Sequence, residues 1–350
     1  MTVTAPTGYA IEEVTLYDAP DDVVRPFVEL AWVIDEEAVP EDPRRPFEAT
    51  ASRMRMRTSL GEQRRWAAWT PDRELAGQVV LGRNTQDNLH IRDMWVAVHP
   101  GHRQRGLGHA LFAKALDAIG EGEGLVVQTW TNGRVPEGER FAESVGVKPG
   151  LRMRSSQLDL ASIDRRLIVE WSALDPEGYR LEWVDSMETP DRLMPNVITA
   201  YHTMNTMPRE GLQWEDWKTT PEIVREYERI GRERGQQRLM VLAIEDATGE
   251  TAGYTEIFYD PRIPSVLHQG GTAVIPAYRG KGIGKWVKAR MVERVLREMP
   301  KARYVRTENA GSNAAMLAIN VGMGFKPAWE EVIWQAPVPD VRRAVESRSA

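Results

Sequence analysis

Cysteine is absent from the 350 residues. That removes disulfide cross-links, thiolate zinc sites and a cysteine nucleophile from consideration, and it suits a reducing cytoplasm, the location expected for this chain. Long apolar runs are missing too. No stretch approaches the roughly 18 apolar residues of a transmembrane helix, and Met1 to Glu13 lacks the basic start and apolar core of a secretory signal. No membrane association is therefore expected. Nor is there a surplus of positive charge. The 45 Lys and Arg against 51 Asp and Glu leave a net charge of −6, so no nucleic-acid partner is expected, although a local cationic patch remains compatible with that balance.

The remaining composition, 42% hydrophobic and 27% charged, is that of an ordinary globular protein. At roughly 100–200 residues per domain the length suggests two domains. Tryptophan is plentiful, with 12 residues; these serve either core packing or the aromatic walls of a ligand site.

A repeat runs through the chain at a constant offset of 176 residues. Glu74, Ala76 and Gly77 recur as Glu250, Ala252 and Gly253; Ala97, Val98 and Pro100 as Ala273, Val274 and Pro276; Arg103, Gly106 and Gly108 as Arg279, Gly282 and Gly284. The shared residues are mostly Gly, Pro and Arg, which fix backbone shape and anion contacts, so the pattern indicates a duplicated domain. Hydrophobic periodicity repeats with it. A helical stripe at Leu107, Leu111, Ala115 and Ile119 matches one at Ile283, Val287, Met291 and Val295. Strands are expected before and after each stripe. Strands alternating with helices predict an α/β (α+β) fold with two tandem domains, each a mixed central sheet flanked by helices. The expected boundaries are an N-terminal domain over 1–160, a packed connector helix over 161–177, a C-terminal domain over 178–338 and a polar, frayed tail over 339–350.

The chemistry-bearing motif is the turn ahead of each stripe. In the second copy, Val274 ends a strand, Arg279-Gly280-Lys281-Gly282-Ile283-Gly284-Lys285 follows, and a helix begins. Glycines allow a tight turn that points successive amides at one spot, and a helix N-terminus adds positive potential, which together suit a pyrophosphate. Arg279 to Arg290 carries five basic residues and no acid. The spacing fits neither a P-loop nor the G-x-G-x-x-G dinucleotide fingerprint. The arrangement Val-x-Pro-x-x-Arg-x-x-Gly-x-Gly resembles the acetyl-CoA-binding signature of the GNAT superfamily of N-acetyltransferases, and it occurs twice, at Val98 to Gly108 and at Val274 to Gly284.

That resemblance implies acetyl-CoA as cosubstrate, direct acetyl transfer to a primary amine of a small molecule, and no metal. It implies cofactor contacts from Thr272, Val274, Arg279, Gly280, Lys281, Gly282, Ile283, Gly284 and Lys285, and, in the first copy, from Val96, Val98, Arg103, Gln104, Gly106, Leu107 and Gly108. The run from Thr307 to Phe325 resembles the family's Asn-rich strand-to-helix motif, in which Asn309 and Asn313 would contact the cofactor; Asn309 equally suits a helix cap. The first copy has Arg134-Val135-Pro136 there, and the proline is expected to shorten or shift the helix.

Direct transfer needs a base for the amine. Glu256, three residues after Gly253, is the first candidate because its counterpart in the first copy is Val80; a solvated strand residue is the plainer reading. His268 is the second candidate, with Arg92 as its counterpart. At the position where the family often carries a tyrosine acid stands Asn320, which cannot protonate a thiolate. Gly270 and Gly271, opposite Met94 and Trp95 in the first copy, leave room for a backbone bulge. The segment Tyr201 to Trp217, with His202, Met204, Asn205, Met207, Trp214, Glu215 and Asp216, is expected to wall the acceptor site; the plainer reading is an ordinary helix–loop–helix with Glu222 and Arg225 on a solvated face. His99, His102 and His109 flank the first turn without a carboxylate at ligand spacing, so no metal is expected there. The second copy is thus expected to be the catalyst. The alternative function is a non-catalytic CoA-binding or partner-binding module. Oligomeric state is left open.

Overall fold

The computed structural model describes residues 5–349. The first half of the chain runs β1 (Ala10–Val14), α1 (Asp21–Ala38), α2 (Phe47–Arg55), β2 (Gly61–Trp69), β3 (Leu75–Asn84), β4 (Ile91–Val98), α3 (Leu107–Asp117), β5 (Val126–Asn132), α4 (Pro136–Ser144), β6 (Lys148–Asp159) and α5 (Arg165–Ser172). The second half repeats the order with β7 (Tyr179–Val184), α6 (Met194–Thr203), α7 (Pro221–Glu233), β8 (Gln237–Glu245), β9 (Thr251–Tyr259), β10 (Val266–Val274), α8 (Ile283–Glu298), β11 (Tyr304–Ala310), α9 (Ala314–Met323), β12 (Lys326–Pro337) and α10 (Val338–Ser349). No helix among the described residues is long and apolar enough to cross a membrane.

Two compact units result, and they do not follow the chain halves. The first takes the chain up to Arg152 together with Arg209–Glu215 and everything from Glu330 onward; the second takes Met153–Pro208 and Asp216–Trp329. In the first unit the strands lie in the order β1-β2-β3-β4-β5-β12, with the last strand of the chain antiparallel to β5 from Glu331 to Pro337. In the second the order is β7-β8-β9-β10-β11-β6, with β6 antiparallel to β11 from Met153 to Asp159. Each half therefore contributes its final strand to the other unit's sheet. The boundaries read from the sequence differ here because periodicity identifies a strand and not its partner. Within each unit the strands are antiparallel except one central pair, β4 with β5 and β10 with β11.

Both faces of each sheet are covered. In the second unit, Ile283, Val287, Met291 and Val295 of α8 enter one core with Trp171 of α5, while α6 and α7 build the opposite core from Val197, Ala200 and Val224. Each such side chain contributes about 1.5–3 kcal/mol through burial. The corresponding α3 stripe, Leu107, Leu111, Ala115 and Ile119, is likewise buried in the first unit. Within the segment 161–177 the helix is α5, Arg165–Ser172, which is capped by Asp164 and lies against α8. The segment 339–350 corrects the expectation of a frayed tail. Its described part belongs to α10, with Val341 and Val345 buried in the first unit's core and Arg342 donating to the Ile119 carbonyl. Three arginines and a polar flank masked a stripe of two valines four residues apart.

Candidate active site

The two glycine-rich turns are built alike. Gly282 stands in the left-handed region (φ +83°) as N-cap of α8, and Gly280 shares that conformation (φ +80°). Non-glycine residues are strained there, which is why glycine recurs. The first intrahelical bond is Trp286 N to Gly282 O, so the amides of Ile283, Gly284 and Lys285 precede it at the positive end of the helix. Gly284 serves packing instead: a Cβ there would lie 3.2 Å from Ile319 Cδ1 and 3.4 Å from Val274 Cγ2. Arg279 Nε donates to the Val274 carbonyl at 3.1 Å, tying the turn to the end of β10. Lys281 donates to the Tyr179 hydroxyl at 2.7 Å, and Lys285 lies over the Trp171 ring. In the first unit Gly106 caps α3 at φ +78° and Gln104 takes φ +59°. Arg103 makes the same bond to the Val98 carbonyl at 3.1 Å, but its guanidinium fork is closed by Glu37 at 2.5 and 2.6 Å. Val96 lies beside Val98 on β4, Leu107 is buried, and Gly108 lies against Phe141.

Above the turns the units diverge. In the second, the register of β10 against β9 shifts between Gln269 and Thr272, so Gly270 and Gly271 form a bulge. The glycines are there for a steric reason. A Cβ on Gly271 would collide with the Tyr254 hydroxyl, and one on Gly270 would lie 2.9 Å from Glu256 Cγ and 2.7 Å from Phe258. In the first unit β4 pairs with β3 without interruption from Asp93 to Val98. Met94 faces the α3 core and Trp95 remains 37% exposed, so neither fills a cleft left by a bulge.

Glu256 sits where the bulge meets a cavity of about 420 Å³. The walls come from Met187, Met204, Met207, Trp217, Val224 and Phe258, with Tyr201, Tyr254, Arg238 and Glu228 among the polar lining groups. Glu256 is 4% exposed. One carboxylate oxygen accepts the Gly271 amide at 3.2 Å and the other the Tyr201 hydroxyl at 3.0 Å. Burial raises its pKa above the usual carboxylate value, opposed by the charge of Arg238 and by these two hydrogen bonds. Arg238 donates to Tyr201 at 3.1 Å and to Thr189 and Glu228 at 2.9 Å. Glu228 in turn accepts from the Thr189 amide, the Thr189 hydroxyl and Arg225. A buried chain of polar groups thus runs from Glu228 through Arg238 and Tyr201 to Glu256.

Several sequence-predicted residues lie elsewhere. His268, paired with Phe258 on β9 and Arg306 on β11, is exposed and does not line the cavity. Asn320 is buried on α9, accepting from Lys288 and donating to Asn309 at 2.6 Å, so it holds neighbours in place. The cap of α9 is Asn313, which accepts the Met316 amide, and not Asn309. Thr272 follows the bulge and bonds to Thr255 at 2.7 Å. Pro136 opens α4 without shortening it much, since a first-turn proline gives up no helical hydrogen bond. Of the expected acceptor wall, Tyr201, Met204, Met207 and Trp217 line the cavity, Asn205 clamps the Trp217 backbone and His202 is exposed. Trp214 and Glu215 belong to the first unit, where they bond to Gln128 and Asn88. Arg225 pairs with Glu228 and with Asp191. His99 and His102 pack edge to face and His109 bonds to Ser144, and no cluster of metal-ligating side chains occurs among the described residues.

Sequence reasoning missed Tyr254, Glu228, Arg238 and Lys288. The three charged residues each carried a signal. Glu228 is one helical turn after Val224 on the buried face of α7, Lys288 interrupts the apolar stripe of α8, and Arg238 opens the run Leu239-Met240-Val241-Leu242. Charged residues at core positions mark buried polar sites.

The profile of the acetyltransferase (GNAT) family matches residues 26–135 and 201–320, which together exceed half of the chain. Among solved structures, a tandem GNAT protein from the clavulanic acid biosynthesis pathway aligns with a TM-score of 0.77 at 24% identity, covering 94% of this chain and 99% of that one. A GCN5-related N-acetyltransferase from Sphaerobacter thermophilus aligns at 0.65 and 15% identity, covering 96% and 97%. A glucosamine N-acetyltransferase region of a fungal multi-domain β-N-acetylglucosaminidase aligns at 0.65 and 11%, covering 95% of this chain and 38% of that one. At these identities the structures speak for the fold. No curated protein sequence matches at a comparable level. With the family profile matched once in each half, around two turns of the same construction, the chain belongs to the GNAT family of acetyltransferases in its tandem form.

Proposed function

We propose that the second unit transfers the acetyl group of acetyl-CoA directly to a primary amine of a small molecule. The observation that carries this reading is the position of Glu256, a buried carboxylate bonded to the bulge of β10 and facing the cavity. The cofactor fits the donor set at the turn: the amides ahead of the first α8 hydrogen bond, two glycines held in the left-handed region, and Arg279, Lys281 and Lys285 around them. That set suits a pyrophosphate. Bound there, acetyl-CoA would supply an activated acetyl thioester.

The protein's own part is to manage one proton and one developing charge. An amine arrives as the ammonium at neutral pH. Transfer of its proton to Glu256 turns two opposite charges into two neutral groups, which a buried, largely apolar cavity favours. The freed lone pair attacks the thioester carbon, the nitrogen gives up its second proton as the carbon–sulfur bond breaks, and sulfur leaves with that electron pair and takes up the proton the nitrogen has lost. The products are the N-acetyl amide and coenzyme A. The Glu228–Arg238–Tyr201 chain holds the Glu256 carboxylate toward the bulge.

The first unit supports a different reading, that of a scaffold or binding module without catalysis. Val80 stands in place of Glu256, the β3–β4 ladder has no bulge, and Glu37 occupies the guanidinium of Arg103. The test is Glu256→Gln with a panel of amines. Turnover is expected to fall roughly 100-fold or more, with coenzyme A affinity unchanged, and the acid limb of the wild-type pH–rate profile is expected to disappear. A fully active variant overturns the role of Glu256.

A further inference from the structure

Two phenols face the same cavity, and among the described residues only one of them finds a hydrogen-bond partner. Tyr201 donates to Glu256 and accepts from Arg238. Tyr254, edge to face with it at 6.1 Å between ring centroids, is 1% exposed, and its hydroxyl has no hydrogen-bond partner among the described residues. A buried hydroxyl left unbonded costs about 1–3 kcal/mol relative to a bonded one. Phenylalanine would fill the same space without that penalty.

The location of the hydroxyl narrows its purpose. Tyr254 lies two residues before Glu256 on β9, so both side chains leave the same face of the sheet. Both line the cavity, and the Tyr254 oxygen rests against the backbone of Gly271, inside the bulge. The Gly271 amide is already engaged by Glu256. Three residues further on, β10 ends at Val274 and the chain enters the phosphate turn. A thioester held by that turn and reached from the cavity would pass the bulge.

We propose that the Tyr254 hydroxyl is a catalytic hydrogen-bond donor to the acyl oxygen of the thioester, a role that rests on the acetyl-transfer reading above. Negative charge gathers on that oxygen as the amine adds, and a donor fixed beside it stabilises the charge without solvent rearrangement. The phenol gives up no proton: the amine proton goes to Glu256, and the electron pair of the broken carbon–sulfur bond leaves with sulfur. Burial, and then the charge of Glu256, hold the phenol well above its ordinary pKa, which keeps it a donor throughout.

Tyr254→Phe tests this in three measurements. Unfolding midpoints are expected to hold or rise, because the hydroxyl removed has no partner among the described residues. In the infrared difference spectrum of carbonyl-labelled acetyl-CoA bound without acceptor, the wild type is expected to show a thioester band at lower frequency than free acetyl-CoA, and the variant to lose that shift. The kcat is expected to fall roughly 100- to 1,000-fold, with acetyl-CoA affinity unchanged. The same band position in both proteins, or unchanged kcat, overturns the proposal while leaving acetyl transfer intact. Failure of wild-type protein to bind acetyl-CoA overturns both. A destabilised variant with normal kcat assigns Tyr254 to packing and also refutes the proposal.

Discussion

Replacing Lys288 by methionine should stabilise the second unit at pH 7 and lose that advantage as the pH is raised. Lys288 is 1% exposed on α8, and among the described residues its ammonium has no carboxylate partner. It donates to Asn320 and lies 4.9 Å from the centre of the Phe325 ring. Burial alone depresses its pKa from 10.5 to about 7. Above pH 10.5 the side chain is neutral whether folded or not. As the pH falls from 10.5 toward 7, the unfolded chain takes up a proton that the folded protein does not, so stability declines; below 7 both states are protonated and the decline stops. A shift from 10.5 to about 7 corresponds to about 5 kcal/mol, at about 1.4 kcal/mol per pH unit.

Methionine removes this linkage and keeps most of the volume. It also strips Asn320 of a donor, a loss of about 1–3 kcal/mol that does not depend on pH. The variant should therefore be more stable than wild type by about 2–4 kcal/mol at pH 7 and less stable by about 1–3 kcal/mol at pH 10.5. Paired denaturant titrations at pH 7, 8.5 and 10 read the difference directly. The crossing of the two stability curves is the diagnostic feature, because a packing defect would shift them in parallel. A constant difference across that range would refute the assignment of a buried, discharged lysine.

Two other variants probe the site from either end. Gly282→Val places a β-branched residue at φ +83°; it should destabilise by about 1–2 kcal/mol and weaken coenzyme A binding at least tenfold, as measured by calorimetry. Glu228→Gln leaves Arg238 buried with less opposing charge; denaturant unfolding should show a loss of about 3–5 kcal/mol. The pH–rate profile of the same variant should have its acid limb at lower pH, because the uncompensated Arg238 then favours the ionised form of Glu256.

The fold was legible wherever a local requirement forced a residue type. Gly106 and Gly282 had to be glycine because the backbone turns left-handed before α3 and α8, and the two helical stripes had to be apolar because both helices bury one face. Strand partnership was not legible. Lys148–Asp159 and Lys326–Pro337 read equally well as the last strand of either sheet, and only the three-dimensional pairing shows the exchange. The same non-locality split the expected acceptor wall, since the chain passes through the first unit at Arg209–Glu215 and then returns. Glu256 is conspicuous because the copies differ there, whereas Glu228 and Arg238 are not, because charged side chains are most often at the surface.

Packing couples the positions at which the two copies differ. Gly270 must lack a Cβ because Glu256 and Phe258 occupy that space, and Gly271 must lack one because Tyr254 does. The bulge, the carboxylate and the phenol are therefore one steric set. The first copy carries Met94, Trp95, Val80 and Gln78 at the four matching positions, and its β3–β4 ladder is unbroken. Restoring a glutamate at Val80 alone would leave a carboxylate beside an intact ladder, with no bulge amide turned toward it. The two copies thus differ by a coupled change, and the catalytic assignment to the second unit rests on all four positions together.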